Sequence, residues 1–231
     1  MDHPPRFAVY FAPDPSSALW AFGCSVLGRD AESDRDTALL PPLTAHLPDW
    51  SRKVAAAAHY GFHATLKAPF ELATGKDEHS LRDAVATLSR GLTPVALGRL
   101  QVATIGRFIA LVPAVAPAPL EQLAGQVVTA LDAFRAPLSE HDRRRRQPEA
   151  LTPRQREHLD RWGYPYVLDQ FRFHMTLTGP LEDDERGRVL QLLSSLYRPQ
   201  DGPVTIDQIC IFMQCRRDLP FRLAHRLRLG G

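Results

Sequence analysis

Two ten-residue stretches 111 positions apart match each other, and this internal duplication constrains the chain more than any other feature. Gly61-Phe62-His63-Ala64-Thr65-Leu66-Lys67-Ala68-Pro69-Phe70 aligns with Arg172-Phe173-His174-Met175-Thr176-Leu177-Thr178-Gly179-Pro180-Leu181, with identity at Phe-His-x-Thr-Leu and at the proline. Each stretch opens the same β-α-β-β order. The first copy reads as a strand over Tyr60 to Pro69, a helix from about Asp77 to Arg90 closed by Gly91, a strand over Val95 to Thr104, a Gly106-Arg107 turn and a strand over Phe108 to Val112. The second reads as strand Phe171 to Gly179, helix Asp183 to Tyr197 followed by Pro199, and strands Val204 to Met213 and Arg222 to Leu229. Upstream, Phe7 to Phe11 is β-rich, and Asp14-Pro15 offers an N-cap for a helix from about Ser16 to Leu27. Adjacent strands that can pair as hairpins, mixed with helices, predict an α+β fold with antiparallel sheets. The duplication divides it into two pseudo-symmetric lobes facing each other across a central cleft.

The expected organisation is a single bilobal domain over 1–231, with lobes at about 30–115 and 165–231. A connecting segment, 117–164, holds one helix from about Leu120 to Phe134 and another between Thr152-Pro153 and Trp162-Gly163. At 44% hydrophobic and 23% charged, the chain can bury a real core, which excludes disorder. With 28 Lys+Arg against 26 Asp+Glu, electrostatics alone cannot carry nucleic-acid binding. Cys24, Cys210 and Cys215 suggest neither a disulfide framework nor a zinc knuckle. The first residues lack a signal pattern and no run approaches the roughly 20 apolar residues of a membrane span, so a cytoplasmic protein with no membrane partner is expected.

Alternation along a strand puts His63, Thr65 and Lys67 on one face and Phe62, Ala64 and Leu66 on the other. In the second copy, Arg172, His174, Thr176 and Thr178 share the reactive face, opposite Phe171, Phe173, Met175 and Leu177. Packed about an approximate two-fold axis, the two strands bring two imidazoles and two hydroxyls together, a set suited to a phosphodiester. Histidine, with an ordinary pKa of about 6.5, can serve as neutral base in one copy and protonated acid in the other. The threonines then donate to non-bridging oxygens, and Lys67 or Arg172 offsets charge at phosphorus. Tyr10, flanked by Ala8 and Ala12, and Tyr60 and Tyr166, which precede the motif strands, are candidate substrate contacts. Gln214 is a candidate rim donor. The run Arg143 to Arg146 allows phosphate or RNA contact, although short charge runs are usually solvated and Glu140, Asp142 and Glu149 dilute it. The remaining histidines, His3 among them, lack a metal-ligand spacing, so no metal and no cofactor are expected.

The paired His-x-Thr motifs resemble the two-histidine (2H) phosphoesterase superfamily. The strings Tyr60 to Phe70, Arg161-Trp162-Gly163-Tyr164-Pro165-Tyr166-Val167 and Phe171 to Gly179 resemble the branch encoded beside bacterial phosphonate-degradation genes. The likeness extends to Tyr10-Phe11-Ala12-Pro13 and Leu27-Gly28-Arg29-Asp30. It implies a bilobal fold, metal-independent phosphodiester chemistry, and His63, Thr65, His174 and Thr176 as the catalytic set. For the phosphonate branch it implies a small phosphorylated substrate, such as a cyclic phosphate of phosphoribose. An RNA 2′,3′-cyclic phosphodiesterase or ligase, acting on an RNA end, and a non-catalytic phosphate or RNA-end binding module are the alternatives. The oligomeric partner is left open.

Overall fold

In the computed structural model, which describes residues 4–198 and 202–230, strand β1 (Arg6–Phe11) leads into helix α1 (Ala18–Leu27). The two-residue strands β2 (Arg29–Asp30) and β3 (Arg35–Asp36) follow, then helices α2 (Pro41–His46) and α3 (Trp50–Ala58). The first motif strand, β4 (Ala64–Glu71), precedes α4 (Glu78–Arg90), β5 (Val95–Gly98), β6 (Leu100–Ile105) and β7 (Phe108–Pro113). Helices α5 (Ala118–Ala130), α6 (Glu140–Arg145) and α7 (Pro153–Trp162) fill the connection to the second motif strand, β8 (Met175–Thr176). The chain finishes with α8 (Asp183–Leu196), β9 (Val204–Ile206), β10 (Gln208–Gln214) and β11 (Arg222–Arg228). Pro199, expected after the last helix, and His3 lie outside the described residues.

Caps explain most helix limits. Helix α1 starts at Ala18 and not at Ser16, because the Ser17 hydroxyl, not Asp14, accepts the orphan Trp20 N–H at 3.1 Å. Asp14 accepts from Ser16 instead and shapes the turn before it. Asp77 with Ser80, and Thr152 with Gln155, form reciprocal capping boxes that start α4 and α7.

The α+β, antiparallel architecture is as expected, and the pairing shows how its halves join. Seven strands form one sheet in the order β11-β10-β1-β4-β8-β7-β6, with every neighbouring pair antiparallel. The motif strands β4 and β8 are neighbours at its middle, in register at Ala64 and Met175. The closing hairpins are exchanged: β6 and β7, from the first copy, flank β8, whereas β10 and β11, from the second, extend the side of β1 and β4. Helices follow the same exchange, with α4 packed on β10 and β11 and α8 on β6 and β7. Division by sequence position at 30–115 and 165–231 therefore cuts across the sheet, because each half takes strands from both copies.

Two runs expected as single strands are each split. Val95 to Thr104 breaks after Gly98, and Val204 to Met213 breaks at Asp207, and the fragments β5 and β9 pair with each other as a separate two-stranded sheet. The second motif strand is only two residues long, because the backbone over 171–174 leaves the ladder.

The core lies between the sheet and its helices and contains Trp50, Tyr10, Phe11, Phe62, Phe212 and Phe221, all essentially inaccessible. Buried Trp50 satisfies its indole N–H on the Val26 carbonyl at 2.8 Å. At Gly23 of helix α1 a Cβ would lie 2.1 Å from the Phe62 ring. That contact fixes the residue next to His63.

Candidate functional site

Ala64 and Met175 pair in register, and each directly follows its motif histidine, so His63 and His174 flank the same pair from opposite sides. The two motifs thus interleave. The imidazoles are near enough for His174 to act on the charge of His63. Both rings line one depression together with Thr176.

The two imidazoles are held alike. His63 Nδ1–H donates to the Gly61 carbonyl at 2.9 Å, and His174 Nδ1–H donates to the Arg172 carbonyl at 2.9 Å. A carbonyl only accepts, so Nδ1 carries the proton in both rings and the neutral form has its lone pair on Nε2. Gly61 can present its carbonyl because its φ is +77°, and a Cβ there would lie 2.5 Å from Ala31. His63 Nε2 lies 3.2 Å from the Thr65 hydroxyl, which donates to it in the neutral ring. Each imidazole also packs against an aromatic ring from the neighbouring strand: Tyr10 of β1 stacks on His63 at 3.7 Å and 19°, and Phe108 of β7 lies 5.6 Å from His174.

Burial destabilises both cations. It lowers His63 to about 4, with the nearby His174 adding to the effect against the Gly61 carbonyl bond, and it moves His174 below its ordinary value despite the Arg172 carbonyl. Both rings are therefore neutral near pH 7 in the free protein.

Two cavities flank the pair. On the His63 side, a cavity of about 280 Å³ is lined by His63, Thr65, Thr176, Tyr10 and Tyr60, joined by Arg6, Asp142, Arg145, Arg146 and Tyr164. On the His174 side, one of about 440 Å³ brings Thr65 and His174 together with Arg172, Tyr166, Phe108 and Tyr164. The four His and Thr side chains are thus brought together, Tyr10 and Tyr60 border the first cavity, and Arg172 and Tyr166 border the second.

Lys67 and Thr178 leave the face that alternation assigned to them. Strand β4 shifts register twice against β1, once across Ala68-Pro69, where proline has no N–H for the ladder, and once between Thr65 and Lys67, where Leu66 is an extra residue. The Lys67 ammonium is consequently buried, donates to the Val128 carbonyl at 3.1 Å and pairs with Asp132 at 3.5 Å; burial lowers it to about 8, against the pull of Asp132. Thr178, fully buried, accepts from the Ile109 N–H at 3.0 Å. Gln214, expected at the rim, is buried too and acts as an acceptor for the Arg6 Nε–H at 2.8 Å.

Sequence reasoning missed Arg6, Tyr164 and Phe108, and it read Arg145 and Arg146 as part of a solvated run. Arg143 and Arg144 fit that reading, Arg143 pairing with Asp160 at 3.0 Å and Arg144 standing exposed. The signal that could have found Tyr164 was the aromatic pair Tyr164 and Tyr166 just before the second motif. Among the described residues, no group of three or more His, Cys, Asp or Glu side chains is placed to hold a metal ion, and no helix is long and apolar enough to cross a membrane.

Fold and site together define an α+β protein with duplicated His-x-Thr strands lying side by side beneath an arginine-bordered cavity. Residues 65–222 match the family described as "Protein of unknown function (DUF1045)", and the chain belongs to that family. It is 37% identical over 223 residues to a protein of Laribacter hongkongensis (strain HLHK9) named ribose 1,5-bisphosphate phosphokinase PhnN, covering 94% of this chain and 50% of that protein. A protein of the same name from Janthinobacterium sp. (strain Marseille) is 36% identical over 184 residues, 76% of this chain and 39% of that protein. The chain thus spans about half the length of these relatives, or less. Among solved structures, E. coli LigT complexed with 3′-AMP aligns over 99% of this chain and 100% of that one, with 15% identity and a TM-score of 0.46.

Proposed function

We propose that the cleft hydrolyses a small cyclic phosphodiester by acid-base catalysis between His63 and His174. One observation carries this reading: two neutral imidazoles, held in the same tautomer by the carbonyl two residues upstream, share one depression with Thr176 and lie beside Thr65. His63, the more strongly depressed of the two, serves as base: its Nε2 takes a proton from water attacking phosphorus. His174 serves as acid. The anionic diester stabilises its cation on binding, and Nε2–H then protonates the departing sugar oxygen as the P–O bond breaks. The hydroxyls of Thr65 and Thr176 donate to the non-bridging oxygens. The chemistry runs through these side chains with no metal-dependent step.

The substrate we favour is a cyclic phosphate of phosphoribose. Support comes from the relatives named for a ribose 1,5-bisphosphate phosphokinase, because water opening such a ring leaves a ribose bisphosphate. The kinase name belongs to whole proteins of which this chain spans about half or less. This chain carries the His-Thr cleft and no G-x-x-x-x-G-K-[ST] phosphate loop.

The test is turnover of a series of cyclic phosphates, with chelator present, by wild type, His63→Ala and His174→Ala. The expected result is a loss of about 10²- to 10⁴-fold for each substitution with binding retained. Binding without turnover of any diester identifies a binding module instead, and turnover that survives both substitutions overturns the mechanism. A second reading, an enzyme for RNA 2′,3′-cyclic ends, is favoured by Phe108 and Tyr166, whose rings border the His174 cavity and offer stacking surfaces for a base. It predicts preference for oligonucleotide ends and a steep salt dependence.

A further inference from the structure

The cavity on the His63 side continues into a narrower recess of about 40 Å³, and Arg6, Arg146, Tyr164 and Asp142 border both. One water needs about 10–15 Å³ on this scale, so the recess takes a group of a few heavy atoms and not a sugar or a polymer.

Its charges do not balance. Asp142 accepts from Arg217 at 3.0 Å, and Arg217 also bonds Glu71. Arg145 stands 4.0 Å from the same Asp142. Arg6 and Arg146 have no carboxylate partner among the described residues. Arg6 is held by neutral Gln214 and lies over the Phe221 ring at 5.2 Å, and Arg146 lies over the Tyr164 ring at 4.9 Å. Arg135 and Lys67, which also line the recess, share Asp132 as partner, and the remaining four guanidiniums, Arg6, Arg145, Arg146 and Arg217, face two carboxylates, an excess of at least two positive charges. Burial and the neighbouring Arg217 both work against the Arg6 cation. Side chains in such a setting are stabilised by an anion that enters between them.

The cations are also prepositioned. Ser139 caps α6, Arg143 ties it to Asp160, and Arg217 ties Asp142 to Glu71 at the end of β4. Arg145 and Arg146, at the end of this pinned turn, need little further ordering to meet a ligand.

We propose that the mouth of this recess, where Arg6 and Arg146 border both spaces and Arg145 borders the His63 cavity, is a subsite for a terminal phosphate monoester, so that the substrate carries two phosphoryl groups, one a diester at the imidazoles and the other held by Arg6, Arg145 and Arg146. The inference rests on the phosphodiesterase reading and names its substrate class. A monoester carries about −1.5 to −2 charge near pH 7, which matches the excess, and guanidinium forks suit its oxygens. Lys67 borders the back of the recess but is committed to Asp132 and the Val128 carbonyl.

The test compares 5-phosphoribosyl 1,2-cyclic phosphate with ribose 1,2-cyclic phosphate as substrates of wild type, Arg146→Gln, the double variant Arg145→Gln/Arg146→Gln, and Arg90→Gln as an exposed control on α4. Wild type is expected to prefer the 5-phosphorylated ring in kcat/KM by at least about a hundredfold, and Arg146→Gln to reduce that ratio by about tenfold or more, chiefly through KM. The double variant is expected to lower the ratio further, and Arg90→Gln to keep it. Equal kcat/KM for the two rings in wild type, or an undiminished ratio in the double variant, overturns the subsite. If wild type turns over neither ring, the phosphoribose reading fails, and calorimetry with ribose 5-phosphate and ribose decides the subsite separately. Binding of the phosphorylated sugar alone, weakened at least tenfold in the double variant, upholds it; equal binding of both sugars, or of neither, overturns it.

Discussion

His63 makes the stability of the fold depend on pH, and its contribution can be isolated. In the unfolded chain its imidazole titrates near 6.5, whereas in the fold burial holds it at about 4. Between these values the unfolded state binds more protons, so stability present above pH 6.5 is lost as pH falls through 6.5 towards 4. At 1.36 kcal/mol per pKa unit, the full loss is at most about 3 kcal/mol, of which about 2 to 3 kcal/mol is expressed between pH 7.5 and 4.5. Other groups titrate in the same window, and a comparison of two proteins removes them. Urea unfolding of wild type and His63→Gln at both pH values gives four free energies. Whatever the offset at pH 7.5, the variant should gain about 2 to 3 kcal/mol on wild type at pH 4.5. With a urea slope of about 2–3 kcal/mol per M, the gap between midpoints then shifts by about 1 M. Parallel acid destabilisation of the two proteins would refute the argument, because it would mean that His63 protonates as readily in the fold as in the unfolded chain.

The same environment sets the proposed pH–rate profile. With His63 acting as base from about 4 and His174 as acid from below 6.5, kcat/KM should peak between those limits, and an acid limb centred near 6.5 would count against His63 as base. Tyr10→Leu removes a ring stacked on His63 and buried to 1% exposure. It should cost about 2 kcal/mol in urea unfolding and move the acid limb upward as water reaches the imidazole. Gly23→Ala drives a methyl group into Phe62 and should cost about 1–3 kcal/mol, lowering Tm by roughly 3–10 °C and slowing turnover through the displaced neighbour of His63. An unchanged Tm would mean that α1 yields at that contact.

Local chemistry was legible wherever a short stretch decides its own conformation. The helix start at Thr152-Pro153, the Gly106-Arg107 turn and the apolar side of each motif strand all follow from neighbours in sequence. Pairing between distant strands was not. No residue in β6 or β7 signals that this hairpin joins the other copy's motif strand, because strand partners are selected by packing and burial and not by local pattern. Lys67 shows how one extra residue in a strand defeats alternation. Adjacent Val9 and Tyr10 pair with Lys67 and Thr65, so Leu66 is an extra residue between them, and the bulge turns the ammonium from the imidazole face toward Asp132. The arginines of the recess had no common sequence signature, since Arg6 opens β1 while Arg145 and Arg146 end α6, and only the fold brings them to one cavity.

Duplication by itself yields a symmetric pair of imidazoles, and a symmetric pair has no reason to divide into acid and base. The division comes from what lies outside the repeat. The connection between the copies contributes Asp142, Arg145, Arg146 and Tyr164 to the His63 cavity, whereas the described residues around the His174 cavity include Phe108, Tyr166, exposed Arg172 and Arg107, the last already paired with Glu182. A substrate whose terminal phosphate seats among the arginines can enter in only one orientation. That orientation presents the same P–O bond to the same imidazole at every turnover. The phosphate subsite would thus fix the orientation in which His63, assigned as base on its burial, meets the substrate. Reversing the charge of the connecting turn, as in Arg145→Glu/Arg146→Glu, should reduce turnover of a 5-phosphorylated ring more than that of the ring without the phosphate, while both imidazoles keep their tautomers, a combination that histidine nitrogen chemical shifts and kinetics can read on the same protein.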